Sequence, residues 1–73
     1  MSGRKDALAI ALELVADDIR RSESRLALLS NQLADAQEHC IVVRLTKAIY
    51  EQRHELERHK GDYAEIAKRI AAS

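Results

Sequence analysis

Proline, tryptophan and phenylalanine are absent from this 73-residue chain, and glycine occurs only at Gly3 and Gly61. Turn signals and aromatic strand residues are therefore missing, which argues against a β-fold. The single cysteine, Cys40, cannot form an internal disulfide, so we expect a reducing, cytoplasmic location. Alanine, leucine, glutamate and arginine dominate the sequence, and all are good helix formers. The composition predicts an all-α protein.

An excess of either charge is also absent, because 12 Lys and Arg residues balance 12 Asp and Glu residues. Without a net field, nothing draws the chain toward nucleic acid or an anionic membrane. No apolar run approaches the ~18 residues of a transmembrane helix. The apolar segment 7–16 is interrupted by Glu13 and followed by Asp17, so we expect no secretory signal. At this length a core is marginal without a partner.

Two sets of residues repeat at alternating steps of four and three, which places each set on one stripe of an α-helix. The sets are out of phase, because Leu33 and Val42 are nine residues apart where a heptad needs about seven. The chain should therefore reverse between them. The predicted seam contains Leu8, Leu12, Val15, Ile19, Leu26, Leu29, Leu33, Val42, Leu45, Ile49, Leu56, Tyr63, Ile66 and Ile70.

This spacing predicts one domain, 1–73, folded as a coiled-coil-like antiparallel two-helix hairpin that dimerisation or a partner protein completes. The first helix should start between Ser2 and Asp6 and span about 5–36, the turn about 37–41, and the second helix about 42–71. In the antiparallel register, Leu29 lies opposite Ile49. Gly61 falls inside the second helix. We expect a weak point there, with a break before Asp62 as the alternative.

Three polar residues fall on the seam, namely Ser22, Gln52 and His59. Polar seam residues commonly set the register or oligomeric state of a coiled coil. Alternatively, Ser22 and Gln52 face solvent at the edge of a loose seam, and both interpretations stay open. His59 is expected to be a partly buried, hydrogen-bonded histidine.

A second apolar surface is predicted near the start of the first helix, where nine of the ten residues 7–16 are apolar. The seam uses only some of them, and Ile10 and Leu14 point elsewhere. A helix that is apolar nearly all round is usually buried all round, and a two-helix hairpin cannot cover it. The contiguous patch therefore predicts an intermolecular contact. The partner-binding residues are Ala7, Ile10, Ala11 and Leu14.

Catalytic and metal chemistry are not indicated. His54 and His59 lie five residues apart, whereas a zinc-protease helix carries its histidines about four apart, on one face. No third group is evident that would orient the His39 imidazole, as a base, toward the thiol of the adjacent Cys40. We expect no catalytic residues, no metal and no cofactor, and we predict that the chain is not an enzyme.

The segment Arg25-Leu26-Ala27-Leu28-Leu29 before the turn and the segment 45–50 after it make the chain similar to a known family. From about 7 to 70 it resembles the small E-type chaperones of bacterial type III secretion, which are short, cysteine-poor helical hairpins. The resemblance implies a cytoplasmic co-chaperone that, with a tetratricopeptide-repeat chaperone, holds a needle subunit unpolymerised. In that family's picture, the surface around Ile10 and Leu14 would be a docking face.

Two other functions are weighed against the co-chaperone role. The segment 14–33 resembles the long first helix of helical chorismate mutases, but the chain has no third helix to complete such an active site. The alternative to a chaperone is a homodimeric four-helix-bundle regulator that binds nucleic acid. Its basic clusters would include Arg20-Arg21, which have Asp17-Asp18 close by, so nucleic acid is the less favoured partner.

Overall fold

Two long helices make up the protein in the computed structural model, which describes residues 3–72. Helix α1 spans Gly3–Asp35 and helix α2 spans His39–Ala72. A 33-residue helix is about 50 Å long, and the two lie side by side in a rod measuring 58 × 14 × 12 Å. The all-α hairpin predicted from the heptad spacing is confirmed.

The connection between the helices comprises only residues 36–38. The backbone N–H of Ala36 donates to the Leu33 carbonyl at 3.2 Å, which closes α1 with a tight turn. The N–H of Val42 donates to the Glu38 carbonyl at 3.0 Å, so Glu38 is the residue that precedes α2. Its carboxylate lies near the Cys40 thiol, with Sγ and Oε2 3.9 Å apart, and negative charge is favourable at a helix start.

The predicted turn at 37–41 therefore ended three residues too late, because His39 already begins α2. Val42 is the first seam residue of α2, and it marks the start of interhelical packing and not the start of the helix. At the other end, α1 includes Gly3 and so begins before Asp6. Ser2, the other predicted starting point, lies outside the described residues.

The core lies at mid-length and is small. Among residues 3–72 the buried hydrophobic side chains are Ile49 and Leu56, and the remaining predicted seam residues except Tyr63 are half-buried. Each helix of a hairpin covers only one stripe of the other, so the edges of the seam remain accessible to solvent. The Tyr63 ring is exposed, which suits a side chain with an apolar body and a polar tip.

Ser22 has the most buried polar side chain, with 5% of its surface accessible. Its hydroxyl oxygen accepts a hydrogen bond from Gln52 Nε2 across the seam at 3.1 Å. In the predicted register Ser22 faces Leu56, and Gln52 lies one turn away on the same stripe. The interpretation that Ser22 and Gln52 face solvent is therefore wrong. Within the described chain, no buried side-chain nitrogen or oxygen lacks a hydrogen-bond partner.

Helix α2 continues through Gly61 to Ala72 without interruption, so the alternative of a break before Asp62 is also wrong. A Cβ added at Gly61 would meet nothing within 4 Å, which places this residue on an open side of the helix. His59 is half-buried. The hydrogen bond expected for its ring is not among the side-chain hydrogen bonds of residues 3–72.

Candidate protein-interaction surface

Four residues of α1 form an apolar surface that extends from the edge of the seam to the side turned away from α2. Successive residues of a helix are about 100° apart, so Ile10, two residues from both Leu8 and Leu12, lies about 200° from the seam. Ile10 and Leu14 expose 59% and 60% of their surface. We call the following residues the docking patch, since their spacing of i, i+3, i+4 and i+7 places them together: Ala7, Ile10, Ala11 and Leu14.

Burial within the docking patch falls off with distance from α2. Ala11 is half-buried beside the seam, whereas Ala7, Ile10 and Leu14 are exposed. The two alanines have short side chains, so they leave the two larger side chains projecting from the helix. No third layer of this hairpin lies over them. An apolar surface that the fold cannot cover is typical of a protein interface.

Charged residues bound the docking patch along the helix axis, with Arg4-Lys5-Asp6 before it and Asp17-Asp18 after it. The Asp17 carboxylate accepts a hydrogen bond from Arg20 one turn later. An apolar centre with a polar rim is the usual anatomy of an interface.

Leu28 lies outside the predicted patch, yet it shares its side of α1. The residue is 58% exposed. It follows Leu14 by fourteen residues, or two heptads, which returns to within about 40° of the same direction. Charged residues between Leu14 and Leu28 interrupt the apolar pattern, so heptad spacing alone does not assign Leu28 to the docking patch.

Tyr50, on the outward side of α2, is 64% exposed. The rings of Tyr50 and His54 contact edge to face, with centroids 4.5 Å apart and planes at 70°. Each ring therefore covers part of the other. Across residues 3–72 there is no group of three histidine, cysteine or acidic side chains able to hold a metal ion.

Acidic and basic side chains alternate on the exposed surface. Arg58 Nη2 lies 3.0 Å from Glu55 Oε1, and Arg69 Nε lies 3.5 Å from Glu65 Oε1. These pairs join residues three or four apart on one helix, as Arg20 and Asp17 do. Such pairing makes a mixed-charge surface, whereas nucleic-acid binding favours a one-sided basic face.

Comparison of the chain with protein-family models, curated proteins and solved structures finds no match. Neither of the two helices, as far as residues 3–72 define them, is apolar enough over a sufficient length to cross a bilayer. The assignment of function consequently depends on the surface of the hairpin itself.

Proposed function

We propose that this protein is a small interaction module that buries the docking patch of α1 against another protein surface. The observation that carries this proposal is the exposure of Ile10 and Leu14, which lie side by side on the face opposite the seam. Burying apolar surface yields about 25 cal/mol per Å², and two large aliphatic side chains can anchor an interface. The surface contributes binding, and we assign no catalytic role to it.

The thin core of the hairpin supports the same proposal. A chain of this size in which Ile49 and Leu56 are the only buried apolar residues within 3–72 has little stability to spare. Anything that binds only the folded state stabilises it by mass action. A partner on α1 would therefore support folding as well as complete the function.

In its most specific form, we propose a cytoplasmic co-chaperone of type III secretion. The apolar face would dock on a tetratricopeptide-repeat chaperone, and the complex would hold a needle subunit unpolymerised. The helical hairpin and its uncovered α1 surface are compatible with this role. Its mechanism is burial, since covering apolar surface prevents aggregation or premature assembly.

The test is to purify the tagged full-length chain from its native host, in wild-type form and with Ile10→Asp or Leu14→Asp. We expect either aspartate to weaken partner binding at least ~100-fold, since a charge would be buried without a counterion. Ala27→Asp is the matched control, because Ala27 is exposed on another side of α1. Circular dichroism should report similar helicity for all four proteins.

Two outcomes would contradict different parts of the proposal. If the Ile10 and Leu14 variants retain every partner of the wild-type chain, the docking patch is not the interface. If binding is lost but the partners include neither a repeat-containing chaperone nor a needle subunit, the co-chaperone role is wrong and the interaction module remains.

A further inference from the structure

The docking patch belongs to a longer stripe on the outer side of α1. Seven residues recur at alternating steps of three and four, and all but the first, Ala7, lie about 200° from a seam residue. Asp17 is half-buried beneath Arg20, and the other six are exposed. We call this set the outer stripe, and it consists of Ala7, Ile10, Leu14, Asp17, Arg21, Ser24 and Leu28.

The outer stripe has a self-complementary order. When a second α1 is placed antiparallel and centred on residue 19, Ile10 of each chain meets Leu28 of the other. In the same register Asp17 meets Arg21, and Leu14 meets the small Ser24. Each of these contacts occurs twice about a two-fold axis, as an isologous dimer requires.

Other registers are less favourable. A shift of one heptad in one direction sets Leu14 against Asp17, and a shift in the other direction sets Leu28 against Asp17. A parallel arrangement in register sets Asp17 on Asp17 and Arg21 on Arg21, which brings like charges together. Only the antiparallel register centred on residue 19 pairs the large apolar residues and the opposite charges simultaneously.

The surface area of the hairpin leaves room for such a contact. The chain exposes 5786 Å², whereas a compact monomer of 8.2 kDa would expose about 4,500 Å². The excess of roughly 1,200 Å² is larger than the ~800 Å² that each partner buries in a standard interface. A second hairpin is thus large enough to account for the uncovered surface.

We infer that, when no other protein occupies α1, its occupant is a second copy of this chain, packed antiparallel with Ile10 against Leu28 and Asp17 against Arg21. This inference depends on the proposed function, because it names a partner for the same surface. The dimer would be a four-helix assembly with α1 against α1 at its centre. A different protein that binds the docking patch would have to displace the second copy.

Sedimentation equilibrium of the full-length chain over a range of concentrations tests this inference. We expect a monomer–dimer equilibrium for the wild type and for the control Ala27→Asp. Leu28→Asp should raise the dimer Kd at least ~100-fold, although Leu28 lies outside the docking patch. Asp17→Arg and Arg21→Asp should each raise the dimer Kd about tenfold, since each variant creates two contacts between like charges in the dimer. The double variant should return the Kd to within about threefold of wild type.

The charge reversal keeps the test valid if Leu28→Asp fails to fold. Positions 17 and 21 are also neighbours within one helix, so rescue of the dimer Kd supports the inference when urea titration shows equal monomer stability for the single and double variants. A wild-type chain that is monomeric throughout, a larger oligomer, or a double variant no tighter than the singles would overturn the inference. If Leu14→Asp still abolishes binding of a different protein in that case, the proposed function stands without the dimer.

Discussion

The seam residues of α1, including Ser22, form an inner stripe, which has the same heptad spacing as the outer stripe on the opposite side of the helix but differs from it in composition and burial. Ser22 is the polar residue of the inner stripe, and α2 satisfies it with a hydrogen bond from Gln52 at 3.1 Å. The outer stripe has charges at its centre, Asp17 and Arg21, and large apolar residues toward its ends. The inner stripe is therefore suited to folding and the outer stripe to selective association.

Spacing alone does not distinguish these two roles, because either stripe could face a neighbouring helix. What separates them is continuity. An apolar row interrupted only by one hydrogen-bonded serine favours burial against a covalently attached partner, whereas apolar ends around central charges permit exposure when no partner is bound. Substitutions matched between the two stripes test this distinction directly.

The largest effect is expected from the core that the inner stripe packs against. Leu56→Ala removes one of the two buried apolar side chains of residues 3–72 and should lower the free energy of unfolding by about 2–4 kcal/mol. For so small a core, that loss should leave most of the chain unfolded at room temperature. Ellipticity at the helix minimum and urea titration measure it. A variant that remains as helical and as stable as wild type would show that the seam is not the main source of stability.

Neighbouring leucines of α1 provide the next comparison, because the same substitution can be made on each stripe. Leu29 is half-buried on the inner stripe, and Leu28 is exposed on the outer stripe. In dilute, monomeric protein, Leu29→Ala should cost about 1–2 kcal/mol, and Leu28→Ala should stay within about 0.5 kcal/mol of wild type. Urea unfolding at low concentration measures both. Equal losses would mean that the two stripes contribute alike to folding.

The sequence predicted the hairpin because periodicity and burial coincide along the seam. It could not locate the ends of the turn, since residues 36–41 contain neither glycine nor proline and their local chemistry favours helix. Spacing placed Ser22 and Gln52 on the seam, but whether their side chains reach each other depends on rotamers and interhelical distance. Charged residues interrupt the hydrophobic pattern between Leu14 and Leu28, so the pattern does not group Leu28 with the docking patch. In the structure, Leu28 lies on the same side of α1 as Leu14.

A smaller effect is expected at Gly61, where substitution changes the backbone and not the packing. A new Cβ there meets nothing within 4 Å, and glycine inside a helix costs about 0.5–1 kcal/mol relative to alanine. Gly61→Ala should therefore stabilise the hairpin by about that amount. The dimer Kd should not change, since the proposed dimer contact is on α1. A tighter dimer would indicate that general helix stability, and not the outer stripe, controls association.

The smallest effect is expected from two of the three serines of α1, Ser22 on the inner stripe and Ser24 on the outer stripe. Ser→Ala raises intrinsic helix propensity by about 0.5 kcal/mol at either position, so Ser24→Ala on the exposed outer stripe should stabilise the monomer slightly. Ser22→Ala also removes the hydroxyl that accepts from Gln52, a loss of about 1 kcal/mol. Its net effect should be a destabilisation of about 0.5 kcal/mol, opposite in sign to that of Ser24→Ala. Paired urea titrations in dilute protein resolve the sign. If both variants are stabilised equally, the Ser22–Gln52 bond contributes nothing and the inner stripe would not need its polar residue for stability.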